Sequence, residues 1–498
     1  MSFKKLVKQS SKYLVGEFLV ILASFVSFPI LTRILSKGEY GAMSLIAVSC
    51  GMLEPIAALG THFSLLRFYP YYKERKQIKT FLKYLIFTSL SAGIIISGAA
   101  IILVDLFGWG KGVLPLFGKV FLVALGLMLA QNIFNLLHSF FRMEEKIFIC
   151  NLLNVSRKYI GFIISIWLLF VYRNLIYFYL GQFFVSLCLV FILLVVIFKT
   201  LPKSTGKINF FPFAWEVSTY GLPLAMTGII LFFFQAGDRY VIAYFLGTEK
   251  VAVYSVATNI GTYIKESIVT AINLSLFPII FKYWEEKEVV KVQQMFSSLV
   301  KYYFLIAALI VGIFYLAAEE LIILVASAKY DESAAIAPVV ILNIMVNSFN
   351  FPFSAGLHLQ KDTFKIFAIT LVFTVLNVVF NILMVPVFGI VGSAYAGLMV
   401  SCLMIGTSYF FSRKYLSFKI PFRSILVYTV LTLVVCYCVN ALGGHFVTLP
   451  RSQKLLLKAG SYLAFYFCLV IAVDGEIRNH LKGRLIKITA KMNGSGAK

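Results

Sequence analysis

Asp238 and Arg239 stand side by side in a stretch, from Pro223 to Gly247, that is otherwise almost entirely apolar and aromatic. If this stretch crosses a membrane, each charge costs roughly 2.5–3.5 kcal/mol to insert. The two charges can be neutralised inside a helix bundle, or they can face a water-filled cavity that handles a charged ligand. Neighbouring residues on a helix point about 100° apart, so each of the two is expected to find its partner on another helix.

Other ionisable residues also fall inside apolar runs, and cations outnumber acids among them. Structural pairing alone would predict a closer balance, so the surplus favours an anionic ligand. The cations are Arg33, Arg67, Lys119, Arg157, Lys158, Arg239, Lys265 and Lys301. The acids are Glu17, Glu54, Asp238 and Glu266. Lys119 and Lys301 lie near the ends of their runs, where long side chains snorkel towards the headgroups.

Amide side chains recur on two of the apolar runs. Gln131 and Asn135 mark one face of the fourth run, and Asn343 and Asn350 mark one face of the tenth. Taken alone, each set is better explained by hydrogen bonds between membrane helices than by a ligand.

The bulk composition is that of an integral membrane protein, because 60% of the 498 residues are hydrophobic. Fourteen apolar runs are long enough to cross a hydrocarbon core of roughly 30 Å, which places both termini on one side. Of the 45 Lys and Arg residues, 29 fall on that side and 8 on the other, so the positive-inside rule makes that side cytoplasmic. The net charge of +24 therefore reflects topology and anionic lipid, and no nucleic acid is expected as a partner.

The sequence contains no recognisable catalytic constellation. A Walker loop, an HExxH motif and a Ser-His-Asp arrangement are absent from it. A membrane glycosyltransferase or ligase usually needs a substantial loop outside the membrane, whereas the longest loops here have about a dozen residues. The seven Cys residues show no metal-ligand spacing. We therefore assign no catalytic residue and no metal ligand, and we expect a protein that is not an enzyme.

Two polar links, at 199–209 and 412–422, divide the apolar runs into groups of six, six and two. This predicts an N-lobe (1–205), a C-lobe (206–415), two C-terminal helices (416–475) and a basic cytoplasmic tail (476–498). The lobes look like repeats, because Leu35–Leu45 aligns with Leu246–Val256 at an offset of 211 residues. Six is an even number of crossings, so both copies start in the cytoplasm. Their pseudo-twofold axis would then run along the membrane normal.

Three diffuse motifs carry a family resemblance: Leu31–Gly41 (LTRILSKGEYG), Asp238–Gly247 (DRYVIAYFLG) and Phe388–Ala396 (FGIVGSAYA). With these motifs the chain resembles the oligosaccharide (Wzx-type, lipid-linked polysaccharide) flippases of the MOP superfamily, which also includes MATE drug exporters and lipid II flippases. The likeness covers at least the first twelve apolar runs. Ser36 stands where that family often has Gly.

The resemblance implies two six-helix lobes around a central cavity, with the last two helices packed outside. It also implies translocation of an undecaprenyl-pyrophosphate-linked oligosaccharide, such as an O-antigen, capsule or exopolysaccharide repeat unit. The movement would be from the cytoplasmic to the outer leaflet of a bacterial inner membrane, by alternating access. The implied partners are the lipid-linked oligosaccharide, membrane lipids, and polysaccharide polymerase and chain-length machinery.

On this interpretation, cations of the apolar runs bind the pyrophosphate or an anionic sugar, because Arg and Lys suit phosphate oxygens. The acids hold those cations in the empty state or couple an ion. No cofactor is expected, and the drive would come from a Na⁺ or H⁺ gradient or from the membrane potential. The substrate-binding candidates are Arg33, Arg67, Arg157, Lys158, Arg239 and Lys265, and the acidic candidates are Glu17, Glu54, Asp238 and Glu266.

Three alternatives stay open on the sequence. A MATE-like, cation-coupled multidrug exporter would need an acid-dominated cavity, against the surplus of cations. A membrane glycosyltransferase or polymerase of polysaccharide assembly is disfavoured by the short loops. A non-catalytic assembly scaffold is compatible with every pattern above.

Overall fold

The computed structural model describes residues 3–106, 117–204, 208–442 and 450–479, with side chains described from Gly16 onward except for Glu17 and Leu274. All regular structure in these ranges is helical, and short π and 3-10 turns lie at Glu266–Thr270 and Ala328–Tyr330. The α-helices are α1 (Phe3–Ile34), α2 (Lys37–Ala57), α3 (Thr61–Glu74), α4 (Ile78–Leu106), α5 (Phe117–Met143), α6 (Ile147–Tyr172), α7 (Leu175–Thr200), α8 (Phe210–Ala236), α9 (Asp238–Leu246), α10 (Thr248–Lys265), α11 (Ala271–Glu285), α12 (Val289–Val325), α13 (Glu332–Ser348), α14 (Asn350–Phe353), α15 (Ala355–Leu359), α16 (Thr363–Ser412), α17 (Phe422–Leu442) and α18 (Arg451–Val473).

Twelve helical segments of the described chain are long and apolar enough to cross a membrane, and α1 adds a shorter apolar stretch, Phe18–Ile34. One of the twelve, α16, has 50 residues and contains a non-helical residue, Gly389. The φ of Gly389 is 62°, in the left-handed region that favours glycine, so α16 counts as two crossings joined at this residue. The described ranges thus hold fourteen crossing segments, which confirms the predicted all-α multi-pass membrane fold.

Ser36 caps the start of α2. The Ser36 hydroxyl accepts a hydrogen bond from the Glu39 N–H at 3.2 Å, and the Glu39 carboxylate accepts one from the Ser36 N–H at 2.9 Å. This reciprocal arrangement is a capping box, which satisfies N–H groups that a helix start otherwise leaves unpaired. Ser36 therefore fixes the point at which α2 begins.

The described chain packs into two compact units, and the first comprises Met1–Leu276 and Phe364–Val400. In unit 1, α7 packs against α5 and α6, α1 packs against α6, and α2 packs against α10. The contact between α2 and α10 is close, because a Cβ at Gly41 would overlap the carbonyl oxygen of Thr248. One turn further along, the hydroxyls of Ser44 and Ser255 form a hydrogen bond at 2.7 Å.

Unit 2 comprises Phe277–Thr363 and Ser401–Lys498. Within it, Ser401 donates to Asn343 at 2.7 Å and Ser408 donates to Asn350 at 3.1 Å, so these amides serve hydrogen bonds between helices. α17 and α18 both pack against α12. The lobe boundaries at 205 and 415 stay a prediction, as does the tail, which lies mostly outside the described residues.

Two ion pairs fasten α18 to α12. Near the start of α12, the Lys301 ammonium lies 2.8 Å from the carboxylate of Asp474, the residue that follows α18. Near the end of α12, Glu320 lies 2.6 Å from Lys458. Between the pairs, the Tyr462 hydroxyl donates to the Ala308 carbonyl at 3.1 Å. The two helices are therefore joined along most of the length of α18.

Candidate functional site

A cavity of about 560 Å³ lies inside unit 1, between α1, α2 and α5 to α10. Four charged side chains line it: Glu54, Arg157, Lys158 and Arg239. Uncharged polar groups share the wall, among them Gln131, Gln182 and Asn259. The volume falls within the range of small-molecule pockets, about 300–1,000 Å³. Of these four residues, three are basic and one is acidic.

The side chain of Arg157, on α6, packs against an aromatic ring. Its guanidinium lies over the ring of Phe134 on α5, 4.6 Å from the ring centroid, a typical cation–π arrangement. Its Nε atom is buried and has no hydrogen-bond partner among the described residues. Buried donors in folded proteins are nearly always satisfied, so this N–H is available to water or to a bound oxyanion.

Glu54, on α2, is the acid of the cavity wall. Its carboxylate accepts a hydrogen bond from the Asn135 side chain at 3.0 Å. It also interacts electrostatically with Arg157. A carboxylate at this position offsets part of the positive charge when the cavity holds no anion.

Arg239 and Asp238 open α9, directly after α8 ends at Ala236. The Arg239 guanidinium donates to the Thr258 hydroxyl at 3.1 Å, and the Tyr254 hydroxyl donates to Asp238 at 2.6 Å. Both partners lie on α10, so the adjacent charges are not paired simply with each other. The Nε of Arg239 and the Oδ1 of Asp238 are buried, and the described structure gives neither atom a hydrogen-bond partner.

A buried polar network extends from Asp238 into α16. The Tyr254 hydroxyl, which donates to Asp238, lies near Ser393 on α16. Ser393 donates to Asn381 at 2.6 Å, and Asn381 donates to the side chain of Asn377 at 3.0 Å. These α16 residues were not predicted as site residues, although two asparagines at i and i+4 in an apolar run are a usable signal in the sequence.

Several predicted site residues do not line the cavity. Arg33 is exposed and its guanidinium donates to the Pro29 carbonyl at 3.1 Å, and Arg67 is also exposed. Lys265 and Glu266 interact electrostatically where α10 passes into the π turn. The side chain of Glu17 lies outside the described part of the structure. The roles of these residues stay predictions.

Two family models match the sequence. Residues 6–284 match the family described as "Polysaccharide biosynthesis protein", and residues 223–383 match the MatE family. No curated protein matches the chain.

The fold is similar to solved transporter structures. One is a lipid II flippase MurJ in an inward closed conformation, with 16% identity over 92% of this chain and 98% of that chain and a TM-score of 0.69. Another is an inward-facing multidrug resistance MATE family transporter of the MOP superfamily, with 15% identity, coverage of 80% and 94%, and a TM-score of 0.63. A Vibrio cholerae MATE transporter gives 13% identity, coverage of 82% and 96%, and a TM-score of 0.57.

At these identities the structural likeness shows the fold alone. The family match is independent of it and spans more than half of the sequence. The chain therefore belongs to the polysaccharide biosynthesis protein family, and its fold is similar to that of solved MurJ and MATE structures.

Proposed function

We propose that this protein is a flippase that moves an undecaprenyl-pyrophosphate-linked oligosaccharide from the cytoplasmic to the outer leaflet of a bacterial inner membrane. The observation that carries the proposal is the cavity wall of unit 1, where Arg157, Lys158 and Arg239 face a single carboxylate, Glu54. A lipid-linked pyrophosphate brings negative charge, and a membrane interior would otherwise reject such a concentration of cations.

The cation types suit pyrophosphate oxygens. A guanidinium presents several N–H donors in a planar fork that matches phosphate geometry, and an ammonium adds a point charge. The buried Nε atoms of Arg157 and Arg239 are donors that such an oxyanion would satisfy. Gln131, Gln182 and Asn259 offer amide groups to sugar hydroxyls. The cavity can therefore bind both the charged and the sugar portions of the substrate.

Ion coupling is assigned to Asp238 and its network. Its buried Oδ1 has no hydrogen-bond partner among the described residues, so a proton or a Na⁺ ion would stabilise the carboxylate there. The membrane potential can contribute as well, because outward movement of negative charge across an inside-negative membrane is favoured by about 2.3 kcal/mol per charge per 100 mV. No bound cofactor is needed.

A MATE-like multidrug exporter is the competing transporter function, since MATE transporters share this fold. Cationic drugs would meet three cations and one acid in this cavity, so we place this function second. A glycosyltransferase or polymerase is placed third, and a non-catalytic assembly scaffold stays open. We propose cytoplasmic termini from the 29-to-8 loop charge bias, with polysaccharide polymerase and chain-length machinery as protein partners.

Reconstitution tests the proposal directly. Purified protein is inserted into liposomes that carry a fluorescent undecaprenyl-pyrophosphate oligosaccharide, and membrane-impermeant lectin or reductant reports which leaflet holds the sugar. We expect protein-dependent exchange between leaflets and no accumulation of a cationic dye in the same vesicles. Dye transport without sugar exchange would favour the exporter. The absence of both activities would overturn the transport proposal.

A further inference from the structure

A second recess lies in unit 1, at the beginnings of α4 and α8 and apart from the cavity. It is an open groove of about 410 Å³ lined by Lys83, Tyr84, Ile86, Phe87, Leu90 and Phe210. None of these residues lines the cavity, and no residue of α4 does. The proposed substrate path therefore leaves this groove unexplained.

Aromatic side chains that line the groove pack against one another. The ring of Phe210 on α8 meets the rings of Tyr84 and Phe87 on α4 edge to face, with centroids 5.3 Å and 5.2 Å away. Phe87 is nevertheless 57% exposed, so its outer face is open to whatever surrounds the helices. In a membrane, that surrounding medium is lipid.

The lining of the groove is almost entirely apolar, and Lys83 stands at the end of it that is nearest the start of α4. Lys83 and Leu90 are seven positions apart on α4, which corresponds to about 10 Å along the helix axis. Lys83 is exposed, and no described carboxylate pairs with it. The neighbouring Lys79 is already engaged, since its ammonium donates to the Phe198 carbonyl at 2.7 Å. Of these two lysines of α4, Lys83 is therefore the one whose ammonium is open to a ligand.

We infer that this groove binds an anionic phospholipid, with one acyl chain along Phe87 and Leu90 and the phosphate on Lys83. The cation lies towards the basic loop that precedes α4, at headgroup level, and the apolar part lies deeper. This is the order of groups in a phospholipid. A zwitterionic choline headgroup would bring its own cation near Lys83, so a net negative headgroup is preferred. Assignment to the cytoplasmic leaflet rests on the charge bias of the loops.

Photo-crosslinking of the full-length protein in nanodiscs tests this inference independently of transport. The probes are phosphatidylglycerol and phosphatidylcholine that each carry a diazirine in the acyl chain, diluted into unlabelled phosphatidylcholine. Labelled peptides are located by mass spectrometry. We expect the segment 83–90 to be labelled about fivefold more by the phosphatidylglycerol probe, the selectivity that one lysine near a membrane surface provides.

Three variants make the outcome decisive, once a thermal unfolding midpoint shows that each is folded. Lys83→Ala should bring the ratio of phosphatidylglycerol to phosphatidylcholine labelling close to one. Leu90→Trp should fill the groove and reduce labelling by both probes. Lys119→Ala, which removes an exposed cation of α5 away from the groove, should leave the ratio unchanged. Equal labelling of the wild type, or an unchanged ratio in Lys83→Ala, would overturn the inference. Displacement of the probe by undecaprenyl phosphate would overturn it too, by making the carrier lipid the occupant.

Discussion

The side-chain hydroxyls of Ser44 and Ser255 lie 2.7 Å apart, although 211 positions separate the two residues in the chain. The same offset aligns the two halves of the sequence, with Ser44 opposite Ser255. A residue that touches its own symmetry equivalent lies on a twofold axis. A repeat axis that passes between α2 and α10 would produce this contact, and the axis itself stays a prediction.

Cysteines at these two positions should lock the contact. In the double variant with Ser44→Cys and Ser255→Cys, an oxidant should form a disulfide, because the two side chains already point at each other within bonding reach. If alternating access separates α2 from α10, the oxidised protein should lose at least about tenfold in sugar exchange. Flippase assays before and after oxidation measure this.

Each single-cysteine variant serves as the control, because it must keep its activity under the same oxidant. Addition of a reductant should restore the double variant. Full activity in a protein shown to be crosslinked would mean that the two helices stay together throughout the cycle.

Arg157→Ala should reduce sugar exchange by about 10- to 100-fold, since a hydrogen bond to a charged group contributes roughly 1.5–3 kcal/mol. Arg157→Lys keeps the charge but loses the planar fork, so an intermediate rate is expected. Initial rates in proteoliposomes give the comparison. Lys119→Ala is the matched control, as Lys119 is a cation outside the cavity wall. A wild-type rate in Arg157→Ala would assign Arg157 a structural role.

Asp238→Asn should uncouple transport from an imposed ion gradient. The amide keeps the size of the side chain but can neither take up a proton nor balance a Na⁺ ion. We expect sugar exchange that no longer responds to a Na⁺ or pH gradient, measured in vesicles with defined internal and external buffers. Tyr254→Phe keeps the carboxylate and removes a hydroxyl donor, so it should retain the response while losing about 1–3 kcal/mol of stability. An unchanged gradient response in Asp238→Asn contradicts the assignment.

Lys301→Met should destabilise the protein far more than Glu476→Gln. Lys301 and Asp474 are 11% and 10% exposed, so removal of the lysine leaves a buried carboxylate unpaired at a cost of about 3–5 kcal/mol. Lys301 also contacts Glu476, but that side chain is 65% exposed and its pairing should contribute at most about 1 kcal/mol. Thermal unfolding midpoints of the two variants in detergent measure both effects. Equal decreases in the two variants would contradict this prediction.

Acid should weaken the same junction. Burial acts to raise the pKa of Asp474, but hydrogen bonds from Lys301 and Tyr428 outweigh it and hold the pKa below its ordinary value of 3.8. A lowered folded-state pKa stabilises the protein fully above the unfolded pKa, about 3.9, and this stabilisation is lost as the pH falls through the folded-state pKa. The thermal unfolding midpoint should therefore decrease as the pH is lowered below about 4, and it should decrease less in Asp474→Asn. Identical pH profiles of the wild type and Asp474→Asn would exclude Asp474 as a source of the acid sensitivity.

The crossing segments could be predicted from the sequence because a lipid environment restricts the structures that an apolar run can form. An apolar run of sufficient length must form a helix in lipid, since no water is present to satisfy its backbone groups. Even the joint in α16, at Gly389, coincides with the first residue of a predicted run, 389–412. The charged residues within these runs could also be identified from the sequence. Each has a high free-energy cost of insertion into lipid, whether its role is structural or functional.

The grouping of those charges could not be predicted. Glu54 and Arg157 interact across α2 and α6, and Asp238 connects through Tyr254 to the asparagines of α16. Such partners depend on how helices rotate and pack, which one sequence does not specify. The surplus of cations was visible in the sequence, but the division between cavity residues such as Arg157 and exposed ones such as Arg33 was not.

The two ion pairs between α12 and α18 also constrain how the protein is made. Lys458 follows Glu320 by 138 positions, and the two carboxylates that contact Lys301, those of Asp474 and Glu476, follow it by up to 175. At 5–20 residues per second, a ribosome needs roughly 7–35 s to synthesise that much chain. During this interval α12 is already made, while its ion-pair partners on and after α18 do not yet exist. Synthesis of α18 and of the residues directly after it is thus the step that pairs Lys301 and Glu320, and a chain that stops before α18 would leave these two charges without their partners for quality-control proteases to recognise.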